Sequence, residues 1–450
     1  MKRLVDWHLK EWKKDLNRKP LLLRGARQVG KTFAVRKVGK LFKNFVEINF
    51  EQVKEARVIF EKNLDPRRIL MELKALLRHS IVPGETLLFF DEIQECPDAI
   101  IALRYFYEEM PDLHVIAAGS LLDFAIKKVG IPVGRVSSLY LFPLSFMEFL
   151  VAMGYTVAAA AILSQERGVL MSDTIHSLLL SLVGQYLAIG GLPEAVALWV
   201  KTNDPIGSLK VHHRIADNYR QDFEKYAKKH QIKYLDALFV QIPHLIGKQF
   251  KYSEIHGEYQ KRELAPCLDL LCRANILHKV QHSTGNGAPL GAEINLEWFK
   301  VIFLDIALCQ AILGLDLTSW FLDPQKAFVN QGSVVEAFVG QELLCYSMSY
   351  MKTNLYFWKR DKRGSQAEVD YLYNYKGDVL PIEAKSKDGT ALKSFHLFLD
   401  EHPKSPFGIR FSSLNYSVHK KVDSRPLYAV CSIAHQDQRE SLHFLIQTEE

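Results

Sequence analysis

The sequence predicts a multidomain α/β protein, and three observations lead to this class. A chain of 450 residues has the length of about three ordinary domains. Hydrophobic residues make up 48% of it and charged residues 24%, which is the composition of a globular protein and excludes a disordered chain. In the N-terminal part, short apolar runs alternate with stretches of helical periodicity, a pattern typical of a parallel sheet covered by helices on both faces.

The first unit is predicted to alternate helices and strands. Leu4, Leu9 and Trp12 lie near helical spacing among charged residues, which predicts an amphipathic helix over residues 2–16. The other predicted elements of this unit are helices at 33–40 and 65–79 and strands at 21–23, 45–50, 86–90 and 114–118. Because helices separate these strands, we expect them to form one parallel sheet.

The rest of the chain is predicted to complete this first domain and to form two more. Residues 155–200 are rich in alanine and leucine and should form a helical lid, so that the first domain spans 1–200. A second, mainly helical domain is predicted over 201–304, with a turn cluster of glycine and proline at 283–291. A third, over 305–450, should contain a helix at 334–346 and aromatic-rich strands at 355–359, 367–373 and 379–384.

Composition also narrows the cellular location. The net charge of +6 is too small to indicate nucleic acid by itself. Six cysteines are too few for a disulfide framework and favour a reducing compartment. The longest apolar stretch is shorter than the ~20 residues of a membrane span, and the first residues lack the apolar core of a signal peptide. We therefore expect a cytoplasmic protein without membrane contact.

A glycine-rich loop follows the first predicted strand. It matches the pattern G-x-x-x-x-G-K-[ST] at every fixed position, through Gly25, Ala26, Arg27, Gln28, Val29, Gly30, Lys31 and Thr32. A loop of this kind before a helix points backbone N–H groups at an anion. Lys31 should reach the β- and γ-phosphates of a nucleoside triphosphate, and the Thr32 hydroxyl should bind its Mg²⁺.

Two carboxylates follow the apolar run at 87–90. Asp91 and Glu92 should emerge at the carboxyl end of a buried strand, which is the edge where ligands bind in open α/β sheets. We expect Asp91 to hold the Mg²⁺ of the nucleotide and Glu92 to orient or deprotonate the attacking water. Ser120, at the end of the next strand, is either a sensor of the γ-phosphate or an ordinary turn serine. Arg135 is either an arginine finger, in trans or in cis, or a surface arginine in an ion pair.

These segments resemble a known family. The stretches RGARQVGKT, FFDEIQ, AAGS and GRVSSLYLFPLSFMEFL are similar to those of bacterial and archaeal AAA-type ATPases of the AAA domain 14 family. In that family the ATPase core precedes a C-terminal region of unknown function, which GGLPEAV, FKVIFLDIAL and VVEAFVGQEL resemble here. The resemblance implies that the chain binds ATP with Mg²⁺ and hydrolyses it.

The middle of the chain resembles a winged helix. Residues 250–253, a helical stretch at 261–275 and the turn cluster at 283–291 carry this resemblance. Leu264, Leu268 and Leu271 give the helix one apolar face, and its other face would read DNA if the module binds DNA. Basic residues there are interrupted by acidic ones, so packing or contact with a protein is the alternative role.

The C-terminal strands carry carboxylates that suggest a second site. Asp370 and Glu383 lie on the two strands of a predicted hairpin and could bind one divalent ion, with Lys385 beside them to position or deprotonate a water. The segment resembles the PD-(D/E)xK nucleases, and this resemblance makes Glu342, on the preceding helix, the helical acid of the site. Three interpretations stay open, namely metal-dependent cleavage, a nuclease fold that binds without cutting, and an unrelated exposed hairpin. The basic stretch at 358–363 either contacts phosphates or forms a solvated turn.

Two functions are compatible with these patterns. In the first, ATP hydrolysis is coupled to engagement or cleavage of DNA by the C-terminal half. In the second, the chain is a nucleotide-dependent switch whose C-terminal region binds a protein or a nucleic acid without cutting it. Oligomerisation fits both functions, since an arginine finger in trans would require a neighbouring copy.

Overall fold

The computed structural model describes residues 1–130, 132–314, 318–362, 365–385 and 392–447. Within these ranges the N-terminal part contains one parallel sheet in the order β2-β3-β4-β1-β5. Its strands are β1 (Leu21–Arg24), β2 (Asn44–Asn49), β3 (Thr86–Asp91), β4 (His114–Ala118) and β5 (Ser137–Tyr140). The parallel sheet and its first four strands confirm the prediction. The sequence did not indicate β5, because only Leu139 among its four residues is buried and the apolar signal is too short.

Helices cover both faces of this sheet. They are α1 (Leu4–Lys14), α2 (Lys31–Gly39), α3 (Glu55–Lys62), α4 (Pro66–Leu77), α5 (Pro97–Glu109), α6 (Leu122–Val129) and α7 (Phe146–Ala152). Alternate residues of β3 enter two different cores, since Leu87 and Phe89 pack on one face and Leu88 and Phe90 on the other. A strand buried on both sides has to be apolar throughout, which is why the sequence marked it so clearly.

A helical region follows the parallel sheet. It contains α8 (Thr156–Leu163), α9 (Asp173–Ile189), α10 (Pro193–Thr202), α11 (Pro205–Tyr226), α12 (Ile232–Gln241) and α13 (Lys261–Arg273). The longest of these helices, α11, begins with an Asp204 cap whose carboxylate accepts the backbone N–H of Ile206 at 2.9 Å. Its C-terminal turns return to the loop between β1 and α2.

The C-terminal part forms a mixed sheet in the order β12-β13-β11-β10-β9-β8-β6-β7. Its strands are β6 (Leu277–Ser283), β7 (Ile294–Phe303), β8 (Leu355–Lys359), β9 (Glu368–Tyr375), β10 (Asp378–Ala384), β11 (Gly408–Ser412), β12 (Ser417–His419) and β13 (Val422–Pro426). The accompanying helices are α14 (Ile306–Leu313), α15 (Thr318–Leu322), α16 (Pro324–Asn330), α17 (Gly332–Cys345), α18 (Lys393–Glu401) and α19 (Gln436–Ile446). The predicted hairpin is β9 and β10, which pair antiparallel.

The predicted border at residue 304 needs correction. The β6–β7 hairpin, expected to close a separate winged-helix-like module over 201–304, belongs to the C-terminal sheet, because β6 pairs in parallel with β8 through Val280 opposite Leu355. Five of the seven residues of β6 are buried, and they include side chains on both faces, so both faces of the strand are covered. Helices α12 and α13 still precede the hairpin in the predicted order.

One of the hydrophobic cores extends across all three parts of the described chain. It includes Leu23 of β1, Leu187 of α9 and Phe338 of α17, so the parallel sheet, the helical region and the C-terminal sheet pack on one another. Backbone hydrogen bonds reinforce this contact, for example from the Tyr140 N–H to the carbonyl of Ser349 at 2.8 Å. In the ranges given above, helices that combine the length and the apolar character of a membrane span do not occur.

Candidate functional site

The P-loop, residues 25–32, connects β1 to α2 and depends on two glycines. Gly25 has a φ of +138°, and a Cβ atom there would lie 2.2 Å from the carbonyl oxygen of Leu141. Gly30 has a φ of +96° and precedes the first residue of α2. Both backbone conformations favour glycine, and they leave the N–H groups at the start of α2 directed at the loop. The loop thus has the shape of an anion site.

Lys31 is folded against this loop. Its Nζ donates to the carbonyl oxygens of Gly25 at 3.0 Å and Ala26 at 2.6 Å, and the side chain is buried. Burial lowers the pKa of Lys31 to about 8 although the nearby carboxylates of Glu92 and Asp91 raise it. An ammonium in this position lacks a full counter-charge, which a phosphate group in the loop would supply.

Thr32 and Asp91 face each other beside the P-loop. The Thr32 Oγ1 lies 3.2 Å from Oδ2 and 3.3 Å from Oδ1 of Asp91, at the carboxyl end of β3. Asn49, at the end of the neighbouring β2, donates from Nδ2 to Asp91 at 3.4 Å. Burial, followed by the charge of Glu92, raises the pKa of Asp91 to about 6. A hydroxyl and a carboxylate at this separation are the oxygen donors that Mg²⁺ prefers, so the residues present fit the ion.

Glu92 is held in place by two neighbours. Gln94 donates from Nε2 to its Oε2 at 2.7 Å, and the Ser120 Oγ lies 3.4 Å from the same oxygen. Glu92 itself has a φ of +49°, a left-handed conformation that is unusual for a residue with a side chain. Ser120 therefore lies next to the Glu92 carboxylate, and its role as a sensor stays a prediction. Gln94 was missed by the sequence analysis, because nothing in the motif indicates that it turns back to Glu92.

Arg135 lies far from this site within one chain. It precedes β5, whose first residue pairs with the first residue of β1, so it lies at the edge of the sheet opposite the P-loop. Its Nε forms an ion pair with Oε1 of Glu108 at 2.7 Å, near the end of α5. The length of β1 thus separates Arg135 from the P-loop within one chain. A role as an arginine finger, in cis or in trans, stays a prediction.

A contact that the sequence did not indicate joins the P-loop to α11. The Arg27 guanidinium forms an ion pair with the carboxylate of Asp222, and the Tyr219 hydroxyl donates to the backbone oxygen of Arg27 at 2.6 Å. Lys225 also approaches Asp222, at 3.4 Å. Burial opposes the charge on Arg27, but the Asp222 carboxylate outweighs it and raises the pKa of Arg27. Tyr219 and Asp222 are far from the P-loop in sequence, and sequence pattern cannot pair them.

The C-terminal strands bring the predicted acids together with three residues that were not predicted. We call the group the carboxylate cluster; its members are Glu336 on α17, Glu368 and Asp370 on β9, and Glu383 on β10, with Lys300 on β7 and Lys385 after β10. Asp370 accepts the backbone N–H of Ala384 at 2.9 Å, and Lys385 forms an ion pair with Glu383. Burial raises the pKa of Glu383 above its usual range.

The prediction that Glu342 is the helical acid of this cluster is wrong. Glu342 accepts the backbone N–H of Phe146 at 2.9 Å and so caps α7 of the N-terminal part. Burial raises its pKa to about 8. Glu336, six residues earlier on α17, faces the cluster instead, because six residues turn a helix by about 240° and place the two side chains on different sides.

Two further predictions concern this region, namely a second metal site and contacts between basic side chains and phosphates. Over the described ranges, a group of three or more His, Cys, Asp or Glu side chains arranged to hold a metal ion is absent. In the basic stretch at 358–363, Lys359 donates to Oε1 of Gln249 at 2.8 Å, and Arg360 pairs with Glu401. Arg363 lies outside the described residues. Near α13, Lys279 pairs with Asp269 at 2.7 Å. Acids thus compensate much of the positive charge that would meet phosphates.

Comparison with known proteins gives matches along most of the chain. Residues 17–150 match the family described as AAA domain. Residues 180–319 and 331–430 match two families that are each described as a domain of unknown function. Among the curated proteins compared with the chain, none matches it.

Two solved structures are similar at low sequence identity. A Walker-type ATPase of Pyrococcus abyssi is 14% identical, with 68% of this chain and 94% of that chain covered and a TM-score of 0.43. The ADP complex of Hsp104 from S. cerevisiae is 13% identical, with 76% of this chain and 43% of that chain covered and a TM-score of 0.28. The family match over 17–150 coincides with the P-loop, Asp91 and Glu92 described above. The part of the chain that carries the P-loop is therefore similar to the AAA domain family.

Proposed function

We propose that the chain binds Mg²⁺-ATP at the P-loop and hydrolyses it. The observation that carries this proposal is the approach of the Thr32 hydroxyl to the Asp91 carboxylate, 3.2 Å apart at the mouth of the loop. The test is phosphate release from ATP by the purified wild-type chain and by Lys31→Ala. Release by the wild type alone supports the proposal, and equal release by both contradicts it.

Each residue has a distinct task in this proposal. Lys31 exchanges the carbonyls of Gly25 and Ala26 for phosphate oxygens and neutralises their charge. Thr32 and Asp91 hold Mg²⁺, which supplies further charge neutralisation on the phosphates when it is bound. Glu92 orients the attacking water and accepts its proton. Its neighbours Gln94 and Ser120 keep the carboxylate directed at the site.

The ATPase site is coupled to the rest of the chain through Arg27. Asp222 of α11 holds the Arg27 guanidinium at the P-loop, and a bound phosphate offers that guanidinium a competing anion. Nucleotide binding therefore weakens the contact between the loop and α11. Because α11 packs against α14 in the continuous core, the change reaches the C-terminal part. The chain then acts as a nucleotide-dependent switch.

Replacing Asp222 with asparagine should uncouple α11 from the nucleotide. In the wild type, Mg²⁺-ATP should change the hydrogen exchange of amides in α11; in Asp222→Asn this change should be lost. ATP should bind the variant more tightly by less than about fivefold, since a partly exposed ion pair contributes at most ~1 kcal/mol. Asp217→Asn, an exposed position on the same helix, is the matched control. Equal responses in wild type and Asp222→Asn would remove this route of coupling.

A second candidate function is metal-dependent cleavage of DNA by the carboxylate cluster. One observation favours it: Asp370, Glu383 and Lys385 lie together, and the buried Oε2 of Glu383 has no hydrogen-bond partner among the described residues. A carboxyl oxygen in this state has unused capacity for a cation or a proton donor. Binding of a partner without cutting is the competing role of the same surface.

Plasmid DNA with Mn²⁺ and ATP separates these two roles. If the cluster cleaves, nicking should occur and should fall by at least about 100-fold in Asp370→Ala, because the metal loses a ligand. Asp378→Ala, at the exposed start of β10, is the matched control. Nicking that persists in Asp370→Ala would exclude the cluster as its source. ATP-dependent retention of DNA without nicking would favour binding only.

A further inference from the structure

Lys300 occupies the middle of the carboxylate cluster. Its Nζ lies 2.6 Å from Oε1 of Glu368, 2.8 Å from Oε1 of Glu336 and 3.9 Å from Oδ1 of Asp370. The side chain is 1% exposed. Carboxylates from a helix and a strand therefore surround one ammonium group, in the way that oxygen ligands from several elements surround a bound metal ion.

This lysine is buried as a charged group. Burial by itself would lower the pKa of Lys300, but the carboxylates of Glu336, Asp370 and Glu368 outweigh it and hold the pKa well above its usual range. On β7, Lys300 lies between Phe299 and Val301, whose apolar side chains are buried. A charged residue in such a strand is costly unless its partners compensate it.

The cluster contains more carboxyl groups than ammonium groups. It has four carboxyl groups and two ammonium groups, and the second ammonium, that of Lys385, pairs with Glu383. The other oxygen of Glu383, Oε2, is buried and lacks a hydrogen-bond partner in the part of the chain that the structure describes, and the residue is 4% exposed. If the Lys300 ammonium is removed, the remaining carboxyl groups have to bind another cation or take up protons.

We propose that the Lys300 ammonium is the resident cation of the carboxylate cluster, and that it takes the place of a divalent metal ion and keeps the site closed to metal. The absence of a metal-holding arrangement in the described residues fits this view, because the acids are spaced around an ammonium. The proposal concerns the same cluster as the cleavage candidate and is independent of ATP hydrolysis. In this account the wild-type cluster holds no metal ion at rest, and metal chemistry would require Lys300 to leave.

The test measures Mn²⁺ binding to the nucleotide-free chain. The electron paramagnetic resonance signal of free Mn²⁺ reports how much of the ion is bound. Lys300→Met keeps the stem and removes the charge, and it should gain one Mn²⁺ per chain, at least about tenfold tighter than any site of the wild type, a gain of about 1.4 kcal/mol. Adding Glu383→Gln to this variant should remove the gain. Lys300→Arg keeps a cation and should behave like the wild type. Lys279→Met, on the adjacent strand β6, is the matched control.

Two outcomes would overturn the proposal. The first is tight Mn²⁺ binding by the wild type that Glu383→Gln abolishes, which would show an open metal site and leave the cleavage candidate intact. The second is a folded Lys300→Met that gains no Mn²⁺, which would show that the cluster is not a cation site of this kind. If Lys300→Met does not fold, Mn²⁺ binding by the wild type and by Lys300→Arg still tests the proposal. The proposal requires that neither of them binds Mn²⁺ in a way that depends on Glu383.

Discussion

Lys31→Ala is expected to lower ATP turnover by at least about 100-fold, the usual effect of removing one group that stabilises charge in a transition state. The ammonium is buried and is bound to two carbonyl oxygens of its own loop, so it is already positioned where phosphate oxygens would replace them. Alanine keeps the helix at this position but removes the charge. Phosphate release under saturating Mg²⁺-ATP measures the effect.

Lys40→Ala is the control for this variant. Lys40 lies just after the same helix, is exposed and has no place in the loop. Its turnover should equal that of the wild type, so that a general effect of removing a lysine from this region is excluded. Turnover by Lys31→Ala within about twofold of the wild type, less than ~0.5 kcal/mol, would show that the P-loop does not bind the phosphates.

Glu92→Gln should separate binding from hydrolysis. Glutamine keeps the size of the side chain and its contact with Gln94 and Ser120, but it cannot accept a proton. We expect kcat to fall by about 10²–10⁴-fold, the range of general-base catalysis, while the affinity for Mg²⁺-ATP stays the same. Single-turnover experiments should find ATP bound and uncleaved on the variant.

A neighbouring acid gives the control for Glu92→Gln. Glu95 lies three residues later and pairs with Arg57 at 3.3 Å, outside the P-loop. Glu95→Gln should hydrolyse ATP at the wild-type rate. Should Glu92→Gln hydrolyse at that rate as well, another group activates the water. A joint loss of binding and turnover would instead indicate that Glu92 supports the structure of the site.

The ATPase site could be predicted from the sequence because its residues are local in the chain. The P-loop is eight consecutive residues, and Asp91 and Glu92 follow directly on a strand whose apolar run is easy to recognise. In a parallel sheet the carboxyl ends of strands lie at one edge, so the two motifs had to meet there. The contact of Asp222 with Arg27 has no such rule, since it depends on where α11 ends after the helical region has folded.

The carboxylate cluster shows the opposite case. Its strand acids were predicted from alternation along β9 and β10, but the helical acid was assigned to Glu342, where Glu336 has the role. The resemblance gives the helix but not the position on it, and the two side chains point about 120° apart. Lys300 did leave a signal in the sequence, namely one charged residue inside the apolar run FKVIF. Such a residue in a buried strand indicates a partner that only the fold reveals.

The central claim is that the P-loop binds the phosphates of ATP through Lys31, and calorimetric titration with Mg²⁺-ATP tests it most directly. The wild type should bind one ATP per chain, and Lys31→Ala should bind it at least about tenfold more weakly, a loss of ~1.4 kcal/mol or more. Lys40→Ala should match the wild type. A wild type that binds no ATP, or a Lys31→Ala variant that binds it with unchanged affinity, would contradict the account.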